Sequence, residues 1–238
     1  MKPEYAIIIP VKNEAECLGE VLSELKKVLG DQLGSRVTIA VGLNGCTDRS
    51  RQIAAEHGVL VGESKEEGYG HGCLAAMAAC PDVSAYLFFA GDGANDPADI
   101  ERLIELYESC GCPFVMGLRD FELQTWWEEF GRALPNLLLG AACAALGGQF
   151  FHDLGPLRLI DRDLLEKIAP RELTWGWTVE AQMAAARLGI SIATVSVVER
   201  PRIAGQQKVS GVSLWRSASI GWKIFLAAWR TRFRSISD

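Results

Sequence analysis

Asp92, Asn95 and Asp96 fall together in the stretch LFFAGDGANDPADIERL, with glycines at 91 and 93, directly after an apolar run. Carboxylates held close to the backbone suit a hard cation. Mg²⁺ and Mn²⁺ take one or two carboxylates together with phosphate oxygens. Asp96, just before Pro97, also reads as a helix cap. A second set is cationic: Arg119, Arg158, Arg200, Arg202 and Lys208. Guanidinium groups grip phosphate with two parallel hydrogen bonds. Glu180, in TWGWTVEAQ, is placed to act as a base if an acceptor hydroxyl must lose a proton. An acceptor phosphate, already ionised, needs no base, and Glu180 would then orient the transferred group or a loop. It also reads as a first-turn helix acid. The chemistry suggested is group transfer to or from a phosphate.

The elements that must position these groups alternate. YAIIIP (5–10), VTIAVGL (37–43), GVLVG (58–62), AYLFFA (85–90) and PFVMGL (113–118) read as strands, apolar throughout. Between them lie helical patterns, the clearest stepping through Leu18, Val21, Leu22, Leu25, Val28 and Leu29 by threes and fours. Thr47 or Asp48 can cap the helix that follows the second strand. Such alternation predicts an α/β fold, a mostly parallel sheet with helices on both faces. Ligands of such sheets bind at the carboxyl ends of the strands. Those ends are Pro10–Glu14, Asn44–Asp48, Glu63–Gly70 and Ala90–Asp96, all polar or glycine-rich. Farther on, 121–147 looks helical, FHDLGPLRLI follows, a helix is expected near 161–168, and ISIATVSVV reads as a strand.

Composition narrows the options. With 238 residues, 49% of them apolar, the chain can build a large core. It has no uncharged apolar run long enough to span a bilayer, and its N-terminus reads as a first strand rather than a signal peptide. Seven scattered cysteines read as reduced, and three histidines show no zinc spacing. A cytoplasmic location is expected. The net charge of −6 is uneven: 16 bases against 29 acids before Arg200, and eight bases against one acid from there on. That pattern argues against nucleic acid and for a local anionic partner.

The first turn, PVKNEAE, lacks the glycines of a dinucleotide-binding fingerprint. Instead, IIIPVKNE (7–14), NGCTD (44–48), EGYGHGCLA (67–75), GDGANDP (91–97), GLR (117–119), DLGPLR (153–158), WGWTVE (175–180) and RPRIAGQQKVSG (200–211) occur in one order. That order resembles the family 2 glycosyltransferases of GT-A fold, most of all the polyprenyl-phosphate type similar to dolichyl-phosphate mannose synthase. The resemblance implies a Rossmann-like GT-A domain, a nucleotide-sugar donor, a divalent metal (Mg or Mn) and inverting transfer. It places Pro10, Asn13, Glu14 and Asn44 beside the nucleoside, although Asn44 also reads as an ordinary Asn-Gly turn. Gly70 would let the backbone approach the donor, Asp92 would hold metal and donor, and Arg119, Arg202 and Lys208 would meet the diphosphate. Asp153 and Arg158 fall to the acceptor side. The sequence departs from the family at Ala90, where an acid is usual, at Leu43 and Asn44, where two acids are frequent, and at Gln207, where a Ser is usual.

Residues 1–211 are thus expected to form the catalytic domain and 212–238 a basic, Trp-rich helical tail. Trp215, Trp222 and Trp229 recur every seven residues, among Arg216, Lys223, Arg230, Arg232 and Arg234. Aromatics with cations suit a helix lying in a membrane interface. The same stripe can instead cover the catalytic domain or a second subunit of a homo-oligomer. The reading is a glycosyltransferase acting on a membrane-associated acceptor, a polyprenyl phosphate, from the inner face of the membrane. The alternatives are a non-catalytic nucleotide-sugar binder, motivated by Ala90, and transfer to a soluble small molecule.

Overall fold

The computed structural model describes residues 3–120, 140–141, 143–146, 150–151, 153–155, 157–174, 176–204 and 214–234, with backbone only at 120, 214–221 and 224. Seven strands form one sheet in the order β3-β2-β1-β4-β6-β5-β7. They are β1 (Tyr5–Val11), β2 (Val37–Asn44), β3 (Leu60–Ser64), β4 (Ala85–Phe88), β5 (Phe114–Asp120), β6 (Arg158–Asp161) and β7 (Ala193–Val198). All neighbours are parallel except β6, which runs antiparallel to both β4 and β5.

Alternation along each strand builds two cores. Ile7 and Ile9 of β1 join Ile39, Val41 and Leu87 on one face, while Ala6, Ile8, Ala40 and Phe88 join the other. The first face is covered by α1 (Leu18–Leu29), α2 (Ser50–Glu56) and α4 (Asp99–Cys110). Helix α1 buries Leu18, Val21, Leu22, Leu25 and Leu29, carries Glu20 in its first turn and Lys26 and Lys27 in its last, and stops at Gly30 with φ of 49°. Full burial of each such leucine is worth about 1.5–3 kcal/mol. The second face is covered by α3 (Tyr69–Ala79), α5 (Arg162–Ile168) and α6 (Trp177–Arg187).

Helix α6 is buried on both sides. Ala181, Ala184 and Ala185 face the sheet, while Val179 and Met183 meet Ala228 of the final helix, α7 (Leu214–Phe233). Small residues bring α7 close: a Cβ at Gly176 would lie 2.3 Å from the Ala227 Cβ. Arg187 donates to the carbonyls of Thr231 and Arg234, the latter at 2.8 Å. One face of the tail helix therefore covers the domain. The other leaves Trp222, Trp229 and Phe233 exposed at 60%, 48% and 70%.

Three expectations shift. The third strand begins at Leu60 rather than Gly58, because residues 57–59 finish the turn after α2. The end of FHDLGPLRLI, with Asp161, forms the short strand β6, inserted between β4 and β5. Most of the helical pattern at 121–147 lies outside the described residues; 140–141 and 143–146 are helical.

Candidate active site

The strand order reverses at β1, which has β2 on one side and β4 on the other. The chain runs from β1 to β2 on one side and from β4 through α4 toward β5 on the other, so a crevice opens at the carboxyl ends of β1 and β4. Three loops meet there: 11–17 after β1, 89–98 after β4, and 199–204 after β7.

The third loop is laid along the second. Asn95 and Glu199 form an antiparallel bridge, Arg200 N donates to Ala94 O at 2.8 Å, and Ile203 N donates to Asp92 O at 3.2 Å. Gly93 is required beneath this strap. Its φ is +81°, and a Cβ would stand 2.4 Å from Ile203 Cδ1. Arg200 also pairs with Asp96 at 2.7 Å and Glu24 at 3.1 Å.

At the centre, Arg202 bridges two carboxylates. It donates to Asp92 Oδ2 at 2.8 Å and to Glu14 Oε2 at 2.5 Å, with the backbone carbonyl of Ala204 at 3.4 Å. The side chains of Arg202, Glu14 and Asp92 are 14%, 12% and 23% exposed, so the cluster lies at the surface of the crevice without being sealed. Burial draws the Arg202 guanidinium down, but the hydrogen bond and charge of Glu14, with the charge of Asp92, leave it above its ordinary range. The Cys17 thiol donates to Ala204 O at 3.1 Å and ties the start of α1 to the strap.

The donor set does not fit a divalent cation in this arrangement. Oδ1 of Asp92 accepts from Ala94 N at 3.1 Å, and Oδ2 is held by Arg202. Position 90 has no side-chain oxygen to offer, and its backbone N–H donates to Asn95 Oδ1 at 2.9 Å, so the Asn95 carbonyl is engaged as well. Asp96 accepts from Ala98 N at 2.9 Å in the turn ahead of α4 and pairs with Arg200; the N-cap position of α4 is Ala98, so Asp96 is a turn and strap contact rather than the expected cap. Among the described residues no group of three or more His, Cys, Asp or Glu side chains is arranged to hold a metal.

The other sequence-predicted residues separate into loop organisers and structural pins. Asn13 adopts φ of 53° and accepts from Thr47 N at 2.8 Å. Asn44 is 4% exposed; its amide donates to Val11 O at 2.9 Å and accepts from Gly68 N at 3.3 Å, so it joins three loops rather than presenting itself to a base. Asp48 accepts from Ser50 N and Ala15 N and holds the start of α2 to the first loop. Pro10, half-buried at the end of β1, would be met at 2.9 Å by a Cβ on Gly72. Gly70 was expected to let the backbone reach a donor. Its missing Cβ instead makes room for protein: Trp177 Cδ1 at 2.6 Å and Leu173 Cα at 2.7 Å.

The half-buried Arg119 and the buried Asp153 form a pair with contacts of 2.6–3.2 Å, and Arg119 reaches Glu199 at 3.3 Å. Burial pushes the Asp153 carboxyl up, but Arg119 overrides it and holds the group below its ordinary value. Arg158 is fully buried and donates to the carbonyls of Thr178 at 3.0 Å, Leu154 at 3.4 Å and Gly155. Burial draws its guanidinium down from the ordinary range. The expected acceptor-facing arginine is thus pinned inside, between the 153–157 loop and the start of α6. Glu180 is 5% exposed and accepts from Arg171 N at 2.8 Å, Glu172 N at 2.6 Å and Arg234 at 2.5 Å. It anchors the tail from the first turn of α6, the position expected of a helix-start acid, and not as the base that a hydroxyl acceptor would need. Beside it, a groove of about 640 Å³ runs between α7 and residues 171–172, lined by Arg171, Trp229, Arg230 and Phe233. Lys208 and Trp175 lie outside the described residues.

Sequence reasoning passed over Lys12, which donates to Glu67 at 2.8 Å and to Gly45 O, and over Arg234 as the partner of Glu180. Lys12 stands inside the PVKNE motif and was findable; Arg234 carried no signal beyond its charge.

A crevice lined by Glu14, Asp92 and Arg202 at the carboxyl edge of a mixed, mostly parallel sheet matches the GT-A, Rossmann-like fold of glycosyltransferases. The family model of glycosyl transferase family 2 matches residues 6–169, and the chain belongs to that family. It is 26% identical to a dolichyl-phosphate hexose transferase of Haloferax volcanii over 232 residues, 97% of this chain and 96% of the relative. It is likewise 26% identical to an uncharacterized glycosyltransferase of Mycobacterium tuberculosis over 205 residues, 86% of this chain and 89% of that one. Among solved structures it resembles glucosyl-3-phosphoglycerate synthase from Mycobacterium tuberculosis in complex with Mn²⁺, UDP and phosphoglyceric acid. The TM-score is 0.74 at 18% identity, covering 99% of this chain and 80% of that chain.

Proposed function

We propose that this glycosyltransferase moves a sugar from a nucleotide-sugar donor to a membrane-associated acceptor, a polyprenyl phosphate, with inversion. The observation that carries the acceptor reading is α7. It is tied to the catalytic domain through Glu180 and Arg234, yet turns Trp222, Trp229 and Phe233 outward beside Lys223, Arg230 and Arg232. Exposed aromatics with cations suit the headgroup region of an anionic membrane, each base adding about 1 kcal/mol. The relative named for dolichyl-phosphate hexose transfer, matched over nearly its whole length, supports the same acceptor class. No helix among the described residues is long and apolar enough to cross a membrane, so contact would be peripheral, at the inner face. Residues 1–211 serve as the catalytic domain and 212–238 as the interfacial tail.

In this reading the donor diphosphate lies at the carboxyl ends of β1 and β4. The acceptor phosphate oxygen attacks the anomeric carbon, the bond from that carbon to the donor diphosphate breaks, and the nucleoside diphosphate leaves with the electron pair. The acceptor arrives ionised, so no side chain takes a proton. The developing charge on the leaving group falls to Arg202, with Lys208 of the same motif as a second cation. Glu14 and Asp92 hold Arg202 in place, and Asn13, Asn44 and Asp48 fix the loops around it. The Arg119–Asp153 pair fixes the end of β5 beside Glu199 and the strap. Arg158 and Glu180 position α6 and α7.

Transfer from UDP- and GDP-sugars should be assayed by mass spectrometry with a short-chain polyprenyl phosphate and with small phosphorylated acids. Glycosylated lipid of inverted anomeric configuration is the expected product. A second reading, a soluble phosphorylated acceptor, is favoured by the solved relative that binds phosphoglyceric acid; product on the small acids alone would select it. Donor binding without any product would identify a non-catalytic binder.

A further inference from the structure

We propose that the guanidinium of Arg202 takes the place of a divalent cation in this chain, so that the donor diphosphate is held without metal. The inference rests on the donor reading above and deepens it.

The acids of the loop after β4, and Glu14, are already engaged within the protein. One acid is replaced by Ala90, whose N–H is tied to Asn95. Asp96 is spent on Ala98 N and Arg200. The two carboxylates that do converge, Glu14 and Asp92, converge on the same planar cation, one on each terminal nitrogen. A metal at this point would neutralise the carboxylates and present positive charge to phosphate. The guanidinium does both. Among the described residues three of its five N–H donors are engaged, by Asp92, Glu14 and Ala204. The fork suits two phosphate oxygens at once.

Arg202 is also held where it is. Its neighbours Arg200 and Ile203 are fixed to the Asp92 loop through backbone hydrogen bonds to Ala94 and Asp92, and Cys17 holds Ala204. A divalent cation could enter between Glu14 and Asp92 only by displacing a side chain anchored on both sides. A guanidinium left beside it would repel it. The arrangement predicts a trade: remove the guanidinium, and the two carboxylates become a cation site.

The test is calorimetric titration of UDP and GDP into the full-length protein, first with chelator and then with excess Mn²⁺, beside Arg202→Met and Arg202→Lys. Mn²⁺ binding is followed independently by electron paramagnetic resonance, and thermal unfolding reports folding. The nucleotide that binds wild type should do so with affinity changing less than about threefold on adding Mn²⁺, and wild type should leave the free Mn²⁺ signal unchanged. Arg202→Met should lose about thirtyfold or more in chelator, as expected for truncating a charged phosphate contact. It should also take up Mn²⁺ and regain affinity when Mn²⁺ is present. Arg202→Lys, which keeps one charge, should stay indifferent to Mn²⁺. Wild-type binding that rises tenfold or more with Mn²⁺ would overturn the inference and leave the donor reading intact. So would wild-type Mn²⁺ uptake in the absence of nucleotide. Binding of neither nucleotide in either condition would overturn the donor reading and the inference with it. If Arg202→Met does not fold, the wild-type titrations and Arg202→Lys still decide.

Discussion

Replacing Glu180 with Gln separates an anchor from a base. Glu180 is 5% exposed, and its carboxylate accepts two backbone N–H groups, from Arg171 and Glu172, and one guanidinium, Arg234. Glutamine keeps the shape and one acceptor oxygen. It loses the charge opposite Arg234, which retains the carbonyls of Ile168 at 2.9 Å and Ala169 at 2.7 Å. Charge-assisted hydrogen bonds contribute about 1.5–3 kcal/mol each, and removing one partner of a buried pair costs about 3–5 kcal/mol. With Arg234 partly compensated, Glu180→Gln should cost about 2–3 kcal/mol, and Glu180→Ala the fuller 3–5 kcal/mol. At about 2–4 °C per kcal/mol for a chain of this size, Tm should fall by about 4–12 °C for the Gln variant. The fall should shrink when Arg234 is already Met, because the pair is then absent. Below the new Tm, turnover should stay within about fivefold of wild type, against the 10²–10⁴-fold loss expected on removing a general base. Scanning calorimetry and a steady-state transfer assay decide. An unchanged Tm with turnover down a hundredfold or more would refute the anchor and restore Glu180 as a base.

Other perturbations test neighbouring parts. Asp153→Asn should destabilise by about 2–4 kcal/mol in urea unfolding, since it removes the buried charge facing the half-buried Arg119. Because the folded Asp153 carboxyl lies below its ordinary value of 3.8, its contribution is complete above that pH and is lost as pH falls below it, so the variant should flatten the acid limb of Tm against pH. Gly70→Ala would set a Cβ 2.6 Å from Trp177 and 2.7 Å from the Leu173 backbone, and overpacking there should cost about 1–3 kcal/mol by chemical denaturation. Wild type should sediment with anionic liposomes at low salt and be released by high salt. Trp222→Ser with Trp229→Ser and Phe233→Ser should stay in solution at both, while retaining donor binding.

The parallel part of the fold was legible because its strands are apolar on both faces and its helices carry a clean three-and-four spacing, as α1 does. β6 was not. It is four residues long, and its place between β4 and β5 is decided by pairing with strands far away in sequence. The site divides the same way. The loops holding Glu14, Asp92 and Arg202 could be found from strand ends and motif order. Their meeting could not, because Asp92 and Arg202 stand 110 residues apart and nothing local records the pairing. Arg158 drew a functional reading as a cation after an apolar run, yet Asp153, Gly155 and Leu157 of that run are buried just before β6, and carbonyls from two segments compensate the charge inside. Glu180 misled for a similar reason: a first-turn acid looks alike whether it faces a substrate or an arginine 54 residues onward.

The central claim is that a nucleotide-sugar donor sits at the carboxyl ends of β1 and β4 with its diphosphate on Arg202. A crystal structure with the tightest-binding nucleoside diphosphate tests it most directly. The account predicts phosphate oxygens within hydrogen-bonding distance of the Arg202 guanidinium, beside Glu14 and Asp92. A nucleotide bound elsewhere, such as the groove between α7 and Arg171, with Arg202 still closed on its two carboxylates, would contradict it.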